Sequence, residues 1–94
     1  MRLVGYNKAM SKKKKLIGRL LSMPKDFTYG ELARLMKHFG YKESNRGKTS
    51  GSAVAFINLE TGHIIRLHKP HPRPELKKYQ MEEVIEELKN RGLI

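Results

Sequence analysis

The stretch from Thr28 to Gly40 constrains the fold more than any other part of this 94-residue chain. Thr28 stands three positions before Glu31. At that spacing a threonine hydroxyl accepts from the third helical N–H while the glutamate reaches back to the threonine's own N–H. Leu32, Leu35, Met36 and Phe39 follow at i, i+3, i+4 and i+7, one continuous apolar stripe. Gly40 then offers the residue without a Cβ that suits a left-handed stop. The spacing predicts a helix over 28–39 whose apolar face must be covered by other elements.

Those elements follow from changes of period along the chain. Residues 1–10 have no clear repeat and form an N-terminal leader; residues 11–94 form one domain. Leu16, Ile17, Leu20 and Leu21 fall on one helical stripe behind Lys12–Lys15, and Ser22-Met23-Pro24 ends it. A short strand is expected at 41–46, then a flexible, basic, hydroxyl-rich loop, Gly47-Lys48-Thr49-Ser50-Gly51. Alternation around Val54 and Phe56 predicts a strand over 52–58. Glu60-Thr61-Gly62 makes a hairpin turn, and a strand over 63–68 returns around Ile64, Ile65 and Leu67. Pro70, Pro72 and Pro74 exclude both helix and inner strand from 69–74. Met81, Val84, Ile85 and Leu88 form a last helical stripe before Gly92. The fold class is therefore α+β, with helices on one face of a three-stranded antiparallel sheet and the other face or its loops left free.

Composition limits what such a domain can do. Hydrophobic residues make up 38% of the chain, with four Tyr, three Phe and no Trp, so a single aliphatic core is expected. No apolar run approaches the roughly 18 residues of a membrane span, and the apolar segment after the lysine cluster is too short for a secretion signal. With no cysteine there is neither a disulfide framework nor a thiolate metal site. A cytoplasmic address fits these features. The formal net charge is +11, and it is unevenly placed. Residues 1–25 carry basic residues and no acid, whereas Glu82, Glu83, Glu86 and Glu87 outnumber Lys89 and Arg91 near the end. Such a field attracts polyanions: nucleic acid is the first candidate, an acidic protein the second, and mere solubility the plain alternative. Lys12–Lys15 suits a solvated face, a phosphate grip or an anionic surface, although the stripe beside it is short for membrane residence.

Residues 28–40, the stretch Gly47–Phe56, the segment Leu67-His68-Lys69-Pro70-His71-Pro72-Arg73-Pro74-Glu75-Leu76-Lys77 and the ending Arg91-Gly92-Leu93-Ile94 together resemble the HicA family of toxin–antitoxin systems. The resemblance implies a double-stranded-RNA-binding-like α-β-β-β-α topology, here with an additional N-terminal helix. It further implies an mRNA-directed ribonuclease held inactive by a HicB-type antitoxin. One position departs from the family. Many members place a catalytic histidine directly after the pair corresponding to Gly51-Ser52, and here Ala53 stands in that place. A methyl group moves no protons. A non-catalytic RNA-binding module is therefore the alternative reading, and an adaptor for an acidic protein partner a third.

Metal-free RNA cleavage needs a base for the 2′-hydroxyl, a cation for the charged phosphorane and an acid for the leaving oxygen. His68 and His71 are the candidate catalytic residues, flanking Lys69-Pro70 in a stiff loop at a strand end. Arg66, Lys69 and Lys48 are candidate phosphate contacts, and Thr49, Ser50 and Ser52 extend the RNA-binding set through phosphate or 2′-hydroxyl contacts. The plain alternatives are imidazoles bonded to loop carbonyls and an ordinary mobile hairpin connection. The glycines around Lys48 do not form a Walker loop. His38 and His63 are expected to be surface or boundary residues. A zinc site on His68 and His71 would lack cysteine and would need Glu75 or His63 as a third ligand, so no metal or other cofactor is expected.

Overall fold

The computed structural model of the protein describes residues 8–44 and 53–94. Its elements are α1 (Lys8–Leu21), α2 (Tyr29–His38), β1 (Tyr41–Ser44), β2 (Ala53–Asn58), β3 (Ile64–His68) and α3 (Lys78–Asn90). The order is the one the changing periodicities predict, and it is a double-stranded-RNA-binding-like α-β-β-β-α arrangement preceded by one helix.

The capping box at α2 forms as its spacing requires. The Glu31 N–H donates to Thr28 Oγ1 at 3.1 Å, and the Thr28 N–H donates to Glu31 Oε1 at 3.0 Å. The same carboxylate ties α2 to α1, because Arg19 Nε donates to Glu31 Oε2 at 2.8 Å. Gly40 follows with φ +88°, the left-handed conformation expected after the Phe39 cap.

Element ends differ from the periodic pattern in an informative way. The first helix begins at Lys8, ahead of the first periodic position, and α3 begins at Lys78, ahead of Met81. An apolar stripe marks a helix only from its first buried residue, so polar opening turns are invisible to it. Gln80 shows the point: it is a buried polar residue in the first turn of α3. Of the strand expected over 41–46, the described part ends at Ser44, and the loop containing Lys48, Thr49, Ser50 and Ser52 lies outside the described residues.

The sheet is a meander, β1-β2-β3, antiparallel throughout. Tyr41 pairs with Asn58, Ser44 with Ala55, Ala53 with His68 and Ile57 with Ile64. Successive side chains alternate between faces. Tyr41, Val54, Phe56 and Ile65 therefore point inward, where the helices contribute Leu16, Leu20, Leu32, Leu35, Met36, Met81, Val84 and Leu88. Phe27 and Leu76, on either side of α2's start and α3's approach, complete the buried core.

Two connections are held by specific bonds. In the β2–β3 turn, Asn58 Oδ1 accepts from the Glu60 and Thr61 N–H groups at 2.9 and 3.0 Å, and Gly62 turns the chain at φ +78°. The proline-rich segment after β3 is neither helix nor sheet strand, as expected. It lies against the residues leading into α2: Tyr29 N–H donates to Pro74 O at 2.9 Å, Leu76 N–H to Phe27 O at 2.8 Å, and Thr28 bridges Glu75.

Candidate functional site

With all helices on one side, the other face of the sheet carries Lys42, Ser44, Ala53, Ala55, Ile57, Ile64, Arg66 and His68. These are the positions that alternate with the buried ones. At its centre the side chains are short. Ser44, Ala53 and Ala55 lie between the longer Ile57, Ile64, Arg66 and His68, and the difference in length leaves an open groove of about 560 Å³. Small residues on β2 thus make the depression, and β3 supplies the groups that can do chemistry in it.

His68 stands directly across from Ala53 in the register, and Arg66 across from Ala55. Opposed residues on one face of an antiparallel pair have Cβ atoms about 4.5–5.5 Å apart, so the imidazole emerges beside the Ala53 methyl. The backbone of His68 is fixed by Gln80: its Nε2 donates to His68 O at 2.9 Å, while its Oε1 accepts from the Lys77 N–H at 3.0 Å. One buried amide thereby links the end of β3 to the first turn of α3. Sequence reasoning missed Gln80, and only a buried polar residue next to an apolar stripe hints at it.

β1 ends, β2 starts and β3 ends at this same edge of the meander, so Ser44 and Ala53 share it with His68 and Lys69. Lys69 does not join Arg66 and His68 on the open face. Its ammonium lies 3.9 Å from Glu43 and 5.3 Å above the Tyr29 ring. The Tyr29 hydroxyl donates to Glu43 Oε2, and its ring lies 6.0 Å from that of Phe56. Burial, with the bond to Glu43 and its charge, pushes the Tyr29 phenol far above its ordinary range, so this hydroxyl is a donor and not a base. Tyr29 and Glu43 were not foreseen, since nothing in their spacing links residues that meet only at a sheet corner.

His71 occupies a different place. It lines a groove of about 400 Å³ with Lys25, Asp26, Pro70, Pro72, Arg73, Glu75 and Lys77, none of which lines the sheet-face groove. The structure brings Arg66 and His68 together and sets His71 and Lys69 apart from them. His63, expected at a boundary, belongs to a hydrogen-bonded chain at the far end of the sheet. Its Nε2 lies 2.8 Å from Glu87 Oε1 and its Nδ1 2.7 Å from the Tyr41 hydroxyl. A carboxylate only accepts, so Nε2 carries the proton in the neutral ring and Nδ1 accepts from the tyrosine. Among the described residues, no three His, Asp or Glu side chains cluster as a metal site, and no helix is long and apolar enough to cross a membrane.

An α-β-β-β-α domain built on an antiparallel meander, with its helices on one sheet face, is of the double-stranded-RNA-binding-like fold class. Within that class, residues 29–90 match the family described as HicA toxin of bacterial toxin–antitoxin systems, more than half of the 94-residue chain. The chain belongs to the HicA toxin family, and is thus a toxin of a toxin–antitoxin system with a cognate antitoxin as partner. Comparison with curated proteins and with solved structures returned no match.

Proposed function

We propose that the protein is a cytoplasmic ribonuclease toxin that cleaves mRNA without a metal and is held inactive by a HicB-type antitoxin. RNA lies across the open sheet face. His68 takes the 2′-hydroxyl proton, and Arg66 faces the negative charge that gathers on the phosphorane. The leaving 5′-oxygen takes its proton from water in the open groove. Lys48, Thr49, Ser50 and Ser52 add phosphate and 2′-hydroxyl contacts from the connection between Ser44 and Ala53.

The observation that carries this reading is the pairing of His68 with Ala53. The family resemblance places its histidine where this chain has alanine, and the residue directly across the ladder, on the same open face, is a histidine. The proton-transfer group is displaced by one strand and remains in the same groove. Expression without antitoxin should arrest growth, and His68→Ala should relieve the arrest and abolish cleavage of purified mRNA while far-ultraviolet dichroism stays unchanged. A folded His68→Ala protein that still cuts RNA would remove the catalytic assignment, and His71→Ala in the same assay tests the other histidine.

Ala53 itself favours a second reading, an RNA-binding toxin that blocks its target without cutting it. Purified protein that retards RNA in gels yet leaves it intact through long incubation would select that reading.

A further inference from the structure

We infer that the groove between the proline-rich segment and the residues leading into α2, lined by Lys25, His71, Arg73 and Lys77, binds phosphates of an RNA backbone as a second subsite apart from the sheet face. The assignment rests on the RNA reading above.

Three exposed cations converge here from two segments of the chain. None of Lys25, Arg73 and Lys77 is in an ion pair among the described residues, unlike Arg19 and Lys69. The lining also holds two acids: Asp26, which pairs with Arg19 at 3.3 Å, and Glu75, one carboxylate oxygen of which is buried and meets no donor among the described residues. Three cations against two carboxylates leave the lining with a formal excess of one positive charge.

The cations are also held in place before any ligand arrives. Backbone bonds from Tyr29 to Pro74 and from Leu76 to Phe27, with the Thr28–Glu75 bridge, fasten the segment bearing Arg73 and Lys77 beside the one bearing Lys25. Pro70, Pro72 and Pro74 further restrict the first of these segments. Ordering that is complete before binding is not lost again on binding, so such a cleft favours a polyanion more than the same lysines on loose chain would.

Its position points to the same strand of RNA that crosses the sheet. His71 stands three positions after His68, a reach of at most about 11 Å even when extended. A backbone leaving the sheet-face groove past His68 therefore meets the Pro70–Arg73 wall next. His71 then serves as a hydrogen-bond donor to phosphate and not as the second half of a catalytic pair.

Two measurements test this. In the first, inorganic tripolyphosphate is titrated into the protein while backbone amides are followed by nuclear magnetic resonance. Saturable shifts centred on Lys25 and residues 71–77 are expected, and their absence would overturn the subsite whatever RNA does. In the second, a short fluorescein-labelled oligouridine is titrated in the His68→Ala background, so that cleavage does not interfere. Adding Arg73→Glu and Lys77→Glu should weaken binding about tenfold or more and reduce the slope of log K against log salt by about 1.5. The charge-preserving Arg73→Lys/Lys77→Arg control should restore most of the affinity. Unchanged RNA affinity in the glutamate variant would overturn the subsite and leave the sheet-face reading intact. An unsubstituted chain that binds no RNA at all would instead overturn the RNA reading, and this assignment with it.

Discussion

At the scale of single residues, the proposed chemistry rests on the Ala53–His68 pair. An imidazole needs only to reach the scissile phosphate from the open face, and opposed positions on neighbouring strands offer nearly the same reach. Exchanging the two residues is therefore an internal test. The Ala53→His/His68→Ala protein should recover ribonuclease activity that His68→Ala alone has lost, measured by cleavage of a defined transcript. Continued inactivity of a folded double variant would mean that the β3 position matters in some way other than proximity. The place of His68 at the end of a strand, before a proline-rich segment, was legible in the sequence. Its grouping with His71 was not reproduced as one groove, because the side chain of residue 71 is directed by the chain's attachment to the start of α2, a contact between segments more than forty positions apart.

At the scale of elements, two joints hold the site, and each has a measurable signature. Glu31 joins α1 to α2 while it caps the latter. Burial alone would raise its pKa, but the Arg19 hydrogen bond, the Thr28 N–H and the Arg19 charge together hold it below the ordinary 4.5. The unfolded chain therefore takes up this proton at a higher pH than the folded one. The stabilisation is present in full above about pH 4.5 and is lost as pH falls through the lower folded value. Urea midpoints measured across pH 3 to 6 should fall on the acid side for the native protein, and Glu31→Gln should flatten that part of the profile. Gln80 is the second joint. Gln80→Ala strands the Lys77 N–H and the His68 carbonyl, at a cost of about 1–3 kcal/mol in a denaturant titration. Because it frees the end of β3, the same substitution should lower cleavage by more than it lowers RNA binding. Equal losses in both would show that Gln80 serves stability and not the placement of His68. The capping box was readable from four consecutive letters, whereas Gln80 was not, since its two partners lie on different elements.

At the scale of the whole molecule, charge is sorted. The exposed glutamates at 82, 83, 86 and 87 lie along α3, where Glu83, Glu86 and Glu87 line a groove beside the β3 edge. Cations gather elsewhere, Lys25, Arg73 and Lys77 at the start of α2 and the lysines along α1, while Arg66 stands between the two sets and lines both the sheet-face groove and the α3 groove. A polyanion is drawn to the second set and repelled by the first. Glu83→Gln/Glu86→Gln should leave oligouridine affinity unchanged or slightly higher. A clear loss of affinity would place RNA on α3 and reverse the orientation argued above.

What the amino-acid order determined by itself is local and periodic. The capping box, the three apolar helical stripes, the alternation of β2 and the breaks at Pro24, Gly40 and the proline-rich segment each depend on residues a few positions apart, where backbone geometry leaves few choices. The helix–strand order and the family resemblance follow from these. Which side chains share a groove depended on packing, because burying one face of the sheet against three helices settles at once which residues are left on the other. His68 and Arg66 came to lie on the open face by strand parity. His71, Tyr29, Glu43 and Gln80 took their places from contacts that close only when distant segments meet, and no local rule encodes those.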